Sequence, residues 1–428
     1  MEADARGFEL MNVVIVGSGI AAITAASTLS RHSKSVCTTL ITEETCAPYS
    51  KVALTKYVAG EIQREQVLMP VTWSDARYMK GVSLVEIDRE LKLLKIRTED
   101  VEDMLGYDAL ILAAGQKPSE RFGVALWTLE HAEYLRQNLR PRHRVLVSGG
   151  GFIGVQLAQA LCAYGVSVHL VESERLLLPG RVPATVSKAL ADSLEAIGAE
   201  VSTDSKVLSV DGAHVEIEQR GTRLTRCFDI LIDTTGARPR TDIAERAGLR
   251  VSAHGIIVDE YQRTSDPAIF AAGDCAAVRH VDGSIKSAGL WHQAAEQGRR
   301  AALGCLGIKP RLSECVAWNT FQFPATNGNK YAAVTFGDFG FRNSKCIEWG
   351  DPQSGRYHFT CISQHKVTAY CAIGDLSGAG SIIHGGHVAA RLVTASEATD
   401  STVCAAGVMC EAQADDAAFQ GVRVRVRW

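Results

Sequence analysis

The chain has 428 residues, too many for one ordinary domain and enough for two or three. Hydrophobic residues make up 46% and charged residues 22%, and the net charge of -3 gives no electrostatic reason for a nucleic acid or an anionic membrane as partner. No apolar run comes near the roughly 18 residues that span a bilayer, and Met1 to Met11 is polar and acidic rather than basic and then apolar, so a cytoplasmic protein is expected.

In chain order, Asn12 to Gly17 reads as a short β-branched strand ending in glycine. A small-residue helix follows from Ile20 to about Arg31, then a second strand from about Ser35 to Thr42. Tyr107 to Gly115 is an apolar strand closing in Ala113-Ala114-Gly115. The first pattern then starts again, with a strand at Arg144 to Ser148, a helix from Phe152 to about Tyr164 and a strand from Val166 to Glu172. Phe228 to Gly236 repeats the closing strand, and Ile269-Phe270-Ala271-Ala272-Gly273-Asp274 follows it. A helix is expected from about Trp291 to Cys305, short strands with glycine turns from about Cys315, and a poorly ordered stretch rich in Ala, Ser, Asp and Glu from Thr394. The last residues, Gly421 to Trp428, alternate valine with arginine. A strand there would put the valines and Trp428 on one side and Arg423, Arg425 and Arg427 on the other. It would suit a sheet edge; the simpler expectation is a flexible tail that contacts nothing.

Each repeat of the pattern turns from strand to helix through glycines. In Gly17-Ser18-Gly19-Ile20-Ala21-Ala22, Gly17 permits the sharp turn, Gly19 a close approach of backbone to a pyrophosphate, and Ala22 tight helix–sheet packing. A lone match of this kind is a tight turn in many α/β proteins, but here the strand, the helix and an acidic residue, Glu43, stand at the right distances. The second turn is Gly149-Gly150-Gly151-Phe152-Ile153-Gly154, and its acidic residue is Glu172. A carboxylate there suits a ribose 2′-hydroxyl and repels a 2′-phosphate, favouring NADH over NADPH, with Arg175 near enough to soften the preference.

These segments resemble the two-dinucleotide-binding flavoproteins, the NADH-dependent rubredoxin, flavorubredoxin and ferredoxin reductases. The likeness runs from about Met11 to Gly307, with a weaker echo to Val393. It is carried by Leu40-Ile41-Thr42, Pro48-Tyr49-Ser50-Lys51, Leu54-Thr55-Lys56, Ala59-Gly60, the closing strand at Tyr107 to Gly115, Thr264-Ser265-Asp266-Pro267 through Gly273-Asp274-Cys275-Ala276, and Trp291-His292-Gln293-Ala294 with Gln297-Gly298. The resemblance implies an α/β protein with two Rossmann-like domains. A discontinuous FAD domain would occupy 11–120 and 250–312, an inserted NAD domain 121–249, a small α+β domain 313–393, and a tail 394–428. It implies FAD contacts from Gly17, Gly19, Ala22, Glu43, Lys51, Ala114, Gly115, Gly273, Asp274 and Trp291. NAD contacts would come from Gly149, Gly151, Phe152, Ile153, Gly154, Glu172 and Gly236. Asp274 would hold the ribityl chain, and Lys51 or Lys56 would stand near flavin N5, where a cation stabilises a reduced, anionic flavin.

Two features depart from the family pattern. Gln156 stands where members often carry Glu, so it cannot pair ionically with a lysine at N5. Only Cys46 falls near the place of the redox cysteine pair used by disulfide-reducing cousins, and one thiol closes no internal disulfide. The leading acceptor is therefore a one-electron carrier of rubredoxin or ferredoxin type. A small acceptor (oxygen, peroxide, a disulfide or a biosynthetic intermediate) is the alternative, and a flavin-binding scaffold or redox sensor is the reading of another class. The 12 cysteines form no C-x-x-C pair, the nearest two being Cys404 and Cys410, and most of them are expected to be reduced and buried. His384 and His387 flank two glycines and lack an evident third ligand, so no metal is expected. Trp318-Asn319 falls where related reductases fold back towards the isoalloxazine, though a core tryptophan fits equally. A homodimer stays open.

Overall fold

The computed structural model describes residues 10–71, 76–99, 101–279, 284–287, 289–310, 317–337, 339, 345–363, 366–376, 379 and 425–427. The chain divides into two compact units. The first holds the chain up to Leu54, Ile62–Ser119 and the stretch that returns at Ala237; the second holds Thr55–Glu61, Glu120–Gly236 and the C-terminal strands from Trp318.

The first unit is built on a five-stranded parallel sheet. Its strands are β1 (Met11–Val16), β2 (Val36–Thr42), β3 (Arg77–Lys80), β7 (Ala109–Leu112) and β20 (Ile269–Ala271), in the order β20-β7-β1-β2-β3. The inner strands are apolar on both faces because both faces are covered. Val13 and Ile15 meet Ala22, Ala25, Ala26 and Leu29 of α1 (Ile20–His32) and Ala301 and Ala302 of α8 (Trp291–Cys305). Val14, one residue out of phase, faces the other way, towards Leu94, Ile96, Ile256 and Val258. Those last residues belong to two further sheets. One is the meander β4 (Val82–Asp88), β5 (Leu93–Thr98) and β6 (Val101–Gly106). The other runs β18 (Val251–Ser252), β19 (Gly255–Val258), β21 (Ala276–Arg279) and β22 (Ile285–Ser287). A two-stranded ribbon joins β8 (Gln116–Pro118), where the chain leaves this unit, to β17 (Ala237–Pro239), where it returns. Short helices α3 (Arg64–Val67) and α7 (Asp242–Arg246) fill connections, while α2 (Leu54–Val58) falls, after its first residue, in the stretch Thr55–Glu61 of the second unit.

The second unit repeats the plan. Strands β9 (Val124–Ala125), β10 (Arg144–Ser148), β11 (Ser167–Val171), β12 (Glu200–Ser202) and β16 (Ile230–Asp233) make a parallel sheet in the order β12-β11-β10-β16-β9. Helices α4 (Leu129–Asn138), α5 (Phe152–Ala163) and α6 (Ala184–Ala196) belong to this unit, with the meander β13 (Ser205–Asp211), β14 (His214–Gln219) and β15 (Thr222–Cys227). Its C-terminal part is an antiparallel sheet of β23 (Trp318–Pro324), β24 (Lys330–Gly337), β25 (Lys345–Asp351), β26 (Arg356–Ser363), β27 (Lys366–Gly374) and β28 (Arg425–Arg427).

Two expectations change here. Within the segment 394–428 expected to contact nothing, Arg425–Arg427 pairs with β25 at the sheet edge, Val426 opposite Ile347. Cys346 and Cys361 are joined in a disulfide rather than reduced, because antiparallel pairing sets them directly opposite, with Cα atoms 4.1 Å apart. A separation of 15 residues in sequence does not announce that proximity. Cys404, Cys410, His384 and His387 lie outside the described residues. Among the described residues no helix is long and apolar enough to cross a membrane.

Candidate functional site

In the first sheet the chain adds β2 and β3 on one side of β1, and β7 and β20 on the other. Ligands of open parallel sheets sit beyond the carboxyl ends of the strands at such a reversal. The residues that leave those ends are Gly17 to Gly19 after β1, Ala113 to Gly115 after β7, Glu43 after β2, and Gly273 and Asp274 after β20. Gly17 has φ of 125°, and a Cβ there would fall 2.2 Å from the Ala113 carbonyl oxygen, so only glycine fits between the two strand ends. Gly19 caps α1 and no side chain among the described residues caps its first N–H groups, nor does its first turn carry an acid. A Cβ at Gly19 would meet nothing within 4 Å. Uncovered N–H groups at the positive end of a helix, facing open space, suit a diphosphate. Ala22 is fully buried against the sheet.

Charged groups gather at the same sheet end. Glu43 is not waiting alone for a ribose: Arg240 Nη1 lies 2.7 Å from its Oε2. Lys51 opens the 3-10 turn Lys51–Ala53. It keeps solvent contact, yet the surrounding chain is dense enough that loss of hydration lowers its pKa. Glu44 and Asp274 oppose that shift, and Arg240 adds to it. Burial raises the Asp274 carboxyl's pKa, while Lys51 and the Gly289 backbone N–H hold it back. Lys51 is thus the lysine brought to Asp274; Lys56 is exposed on α2. Glu44 accepts from the Tyr49 hydroxyl at 2.8 Å, and Cys46 Sγ lies 3.9 Å from its other oxygen. Gln297 on α8 accepts the Gly273 N–H at 2.8 Å, fixing the turn that carries Asp274. Trp291 opens α8 and stays 48% exposed. Sequence reasoning missed Glu44 and Arg240. A signal for the latter exists: Gly236-Ala237-Arg238-Pro239 echoes Gly115-Gln116-Lys117-Pro118, and the two echoes pair as β17 and β8.

The second sheet reverses between β10 and β16. Gly149 repeats Gly17, with φ of 108° and a would-be Cβ 2.6 Å from the Thr234 carbonyl oxygen. The Thr234 hydroxyl donates to Ser148 and Gly149 carbonyls at 2.8 and 2.9 Å, pinning the turn. Gly151 caps α5 as Gly19 caps α1, again with open space beside it, as at Gly236. Gly154 admits no side chain, since a Cβ would meet the Gly149 carbonyl oxygen at 1.9 Å. Glu172 is buried, and its carboxylate accepts from Gly150 N–H at 2.6 Å, Glu174 N–H at 2.8 Å and the Ser173 hydroxyl at 3.0 Å. It therefore organises the glycine turn itself. Phe152 turns onto Phe321, with ring centroids 5.6 Å apart; Ile153 is exposed, and Gln156 is half-buried one turn into α5. Trp318 begins β23 and packs against the Val334, Phe336 and Tyr370 cluster, as a sheet tryptophan does.

Each glycine turn thus leaves open space beside the N-terminus of a helix whose first turn carries no acid, an arrangement that suits a dinucleotide diphosphate. Residues 11–298 match the family model of pyridine nucleotide-disulphide oxidoreductases. A probable ferredoxin reductase, CtmF, of Castellaniella defragrans is 33% identical over 381 residues, covering 83% of this chain and 89% of that protein. The nitric oxide reductase FlRd-NAD(+) reductase of Escherichia coli K12 is 29% identical over 288 residues, 62% of this chain and 72% of that one. A chain of the covalent putidaredoxin reductase–putidaredoxin complex shares the fold, with a TM-score of 0.79 at 24% identity over 93% of this chain and 100% of its own. Matched along most of its length by the family model, the chain belongs to the pyridine nucleotide-disulphide oxidoreductases and is an oxidoreductase whose cofactors are FAD and a nicotinamide dinucleotide.

Proposed function

We propose that the chain takes hydride from NADH onto FAD and passes the electrons singly to a small protein carrier of iron–sulfur or rubredoxin type. The observation that carries this is the duplicated cradle: two reversal points, each with a glycine turn and an uncapped helix N-terminus, and one of them ringed by Lys51, Asp274, Glu44 and Arg240. FAD, when bound, supplies the conversion of a hydride pair into single electrons. The chain's own part is to bind and orient. Gly17 to Gly19 and the α1 N-terminus take the diphosphate, Asp274 the ribityl chain, and Lys51 offers a cation to negative charge on the ring. Gly149 to Gly154 take the second dinucleotide. Glu172 sets a carboxylate just beyond the end of β11, which favours the unphosphorylated ribose of NADH. The names of the relatives support a ferredoxin-type or rubredoxin-type acceptor. The cytoplasm is the setting this reading implies.

Purified protein is expected to be yellow and to bleach anaerobically with NADH. NADH consumption should rise with added ferredoxin or rubredoxin, and kcat/KM for NADH should exceed that for NADPH by on the order of tenfold or more. A colourless chain that binds no added FAD sinks the reading. Turnover driven by oxygen or a thiol compound and indifferent to both carriers replaces the protein acceptor with a small one. Flavin that NADH reduces slowly, with no acceptor giving turnover, points to a redox sensor.

A further inference from the structure

Arg240 lies outside every glycine turn, yet the fold carries it to the ends of the two strands that flank β1. Its backbone N–H donates to the Gly115 carbonyl oxygen at 3.0 Å, just beyond the end of β7. Its guanidinium ends 2.7 Å from Glu43, just beyond the end of β2. The sheet order puts β1 between those two strands. Arg240 therefore links the chain leaving β7 to the chain leaving β2, and β1, the strand between them, is the one that turns into α1 at Gly17 to Gly19. A Cβ at Gly19 or Gly115 would meet nothing within 4 Å, so the chain leaves open space at both of these turns.

We propose that Arg240 is a further FAD-binding residue, its guanidinium the counter-charge to the FAD diphosphate at the β1–α1 turn; this rests on reading the first unit as the FAD site. The helix N-terminus alone offers about half a positive charge, against two negative charges on a diphosphate. Glu43 adds another negative charge beside the same turn, which would weaken an anion's binding if nothing balanced it. Arg240 supplies that balance. The pair is 42% and 55% exposed at its two side chains, and ion pairs so exposed to water are weakly held. The guanidinium is thus readily shared. Its five donors in a planar fork can serve a carboxylate and phosphate oxygens together, which a lysine ammonium does less well. The nearness of Lys51, whose pKa Arg240 helps to lower, makes this one connected charge system.

The test uses the full-length chain stripped of flavin, with FAD binding read from flavin fluorescence and with ADP and adenosine as competitors. Arg240→Ala is expected to weaken FAD by about 10–100-fold, the worth of a charge-assisted hydrogen bond. ADP should lose a similar factor while adenosine competes as it does against wild type. Arg240→Lys should recover part of the loss, because it keeps the charge without the fork. FAD affinity in Arg240→Ala within about twofold of wild type overturns the proposal. So does a loss shared equally by ADP and adenosine, which marks a structural role for the ion pair. A wild-type chain that takes up no FAD removes the underlying reading as well; normal wild-type binding with an unaffected Arg240→Ala removes only this inference.

Discussion

On β11, just before Glu172, His169 is 4% exposed, and its Nε2 lies 2.9 Å from the Ser202 hydroxyl. Burial pushes its pKa down to about 4, against an opposing pull from Glu200. An unfolded chain takes up this proton near pH 6.5. Between pH 6.5 and about 4 the unfolded state therefore binds more protons, so the His169 contribution is whole above 6.5 and shrinks as pH falls. At pH 5 the loss should be about 2 kcal/mol. Urea midpoints at pH 7 and pH 5 should converge in His169→Gln relative to wild type; an unchanged pH slope in the variant rules the assignment out. At this scale the sequence is only partly legible. Lys51 and Asp274 stand in local motifs, and the structure gathers them. Glu43 was legible as an acid after a strand, but its partner Arg240 lies 197 residues away, beyond any local pattern.

Helices α1 and α8 pack closely where Gly298 meets Ala21. A Cβ on Gly298 would sit 2.1 Å from the Ala21 carbonyl oxygen, and Gln297 beside it holds the Gly273 N–H. Gly298→Ala must therefore push α8 away from α1 and loosen the turn carrying Asp274. We expect a loss of about 1–3 kcal/mol and faster release of FAD, read from thermal unfolding and flavin washout. Wild-type values for both would mean that the helices separate at no cost. The βαβ units were legible to within a residue or two, because buried parallel strands are continuously apolar and glycine marks their ends. The helix at Ile20–His32 and the strand at Arg144–Ser148 are examples. The meander β13–β15 was not read. Most side chains of Thr222–Cys227 are exposed or half-buried, so its apolar contrast is weak. The pairing of Arg425–Arg427 was legible as alternation, but no local signal says that an edge strand is there to receive it.

For the molecule as a whole, the duplicated plan permits a crossed experiment. Gly19 and Gly151 have φ of -76° and -73°, which any residue adopts, and open space where a side chain would go. Valine at either should leave the fold intact while filling one recess. Gly19→Val is expected to lose FAD by at least about tenfold in affinity, yet keep binding of the nicotinamide dinucleotide by calorimetry. Gly151→Val should stay yellow but no longer bind or bleach with the reductant. If both variants lose both ligands, or neither loses either, the cradles are not the sites assigned to them. Two cradles in one chain made the family readable from sequence. The acceptor was less so, because a protein carrier is met by a surface, and surfaces leave no fixed spacing in a sequence.

The first sheet is finished late. Strand β20 lies at its margin, hydrogen-bonded to β7, and residues 113–268 are made between the two. While a ribosome adds that stretch, β7 carries an open row of amide and carbonyl groups on its outer side. Such a row is a template for wrong partners, including the same strand in a neighbouring nascent chain. The second sheet, nested inside the interval, can close before the first. Its order of completion is thus inner before outer, and the cradle around Gly17 gains Asp274 only once β20 has docked.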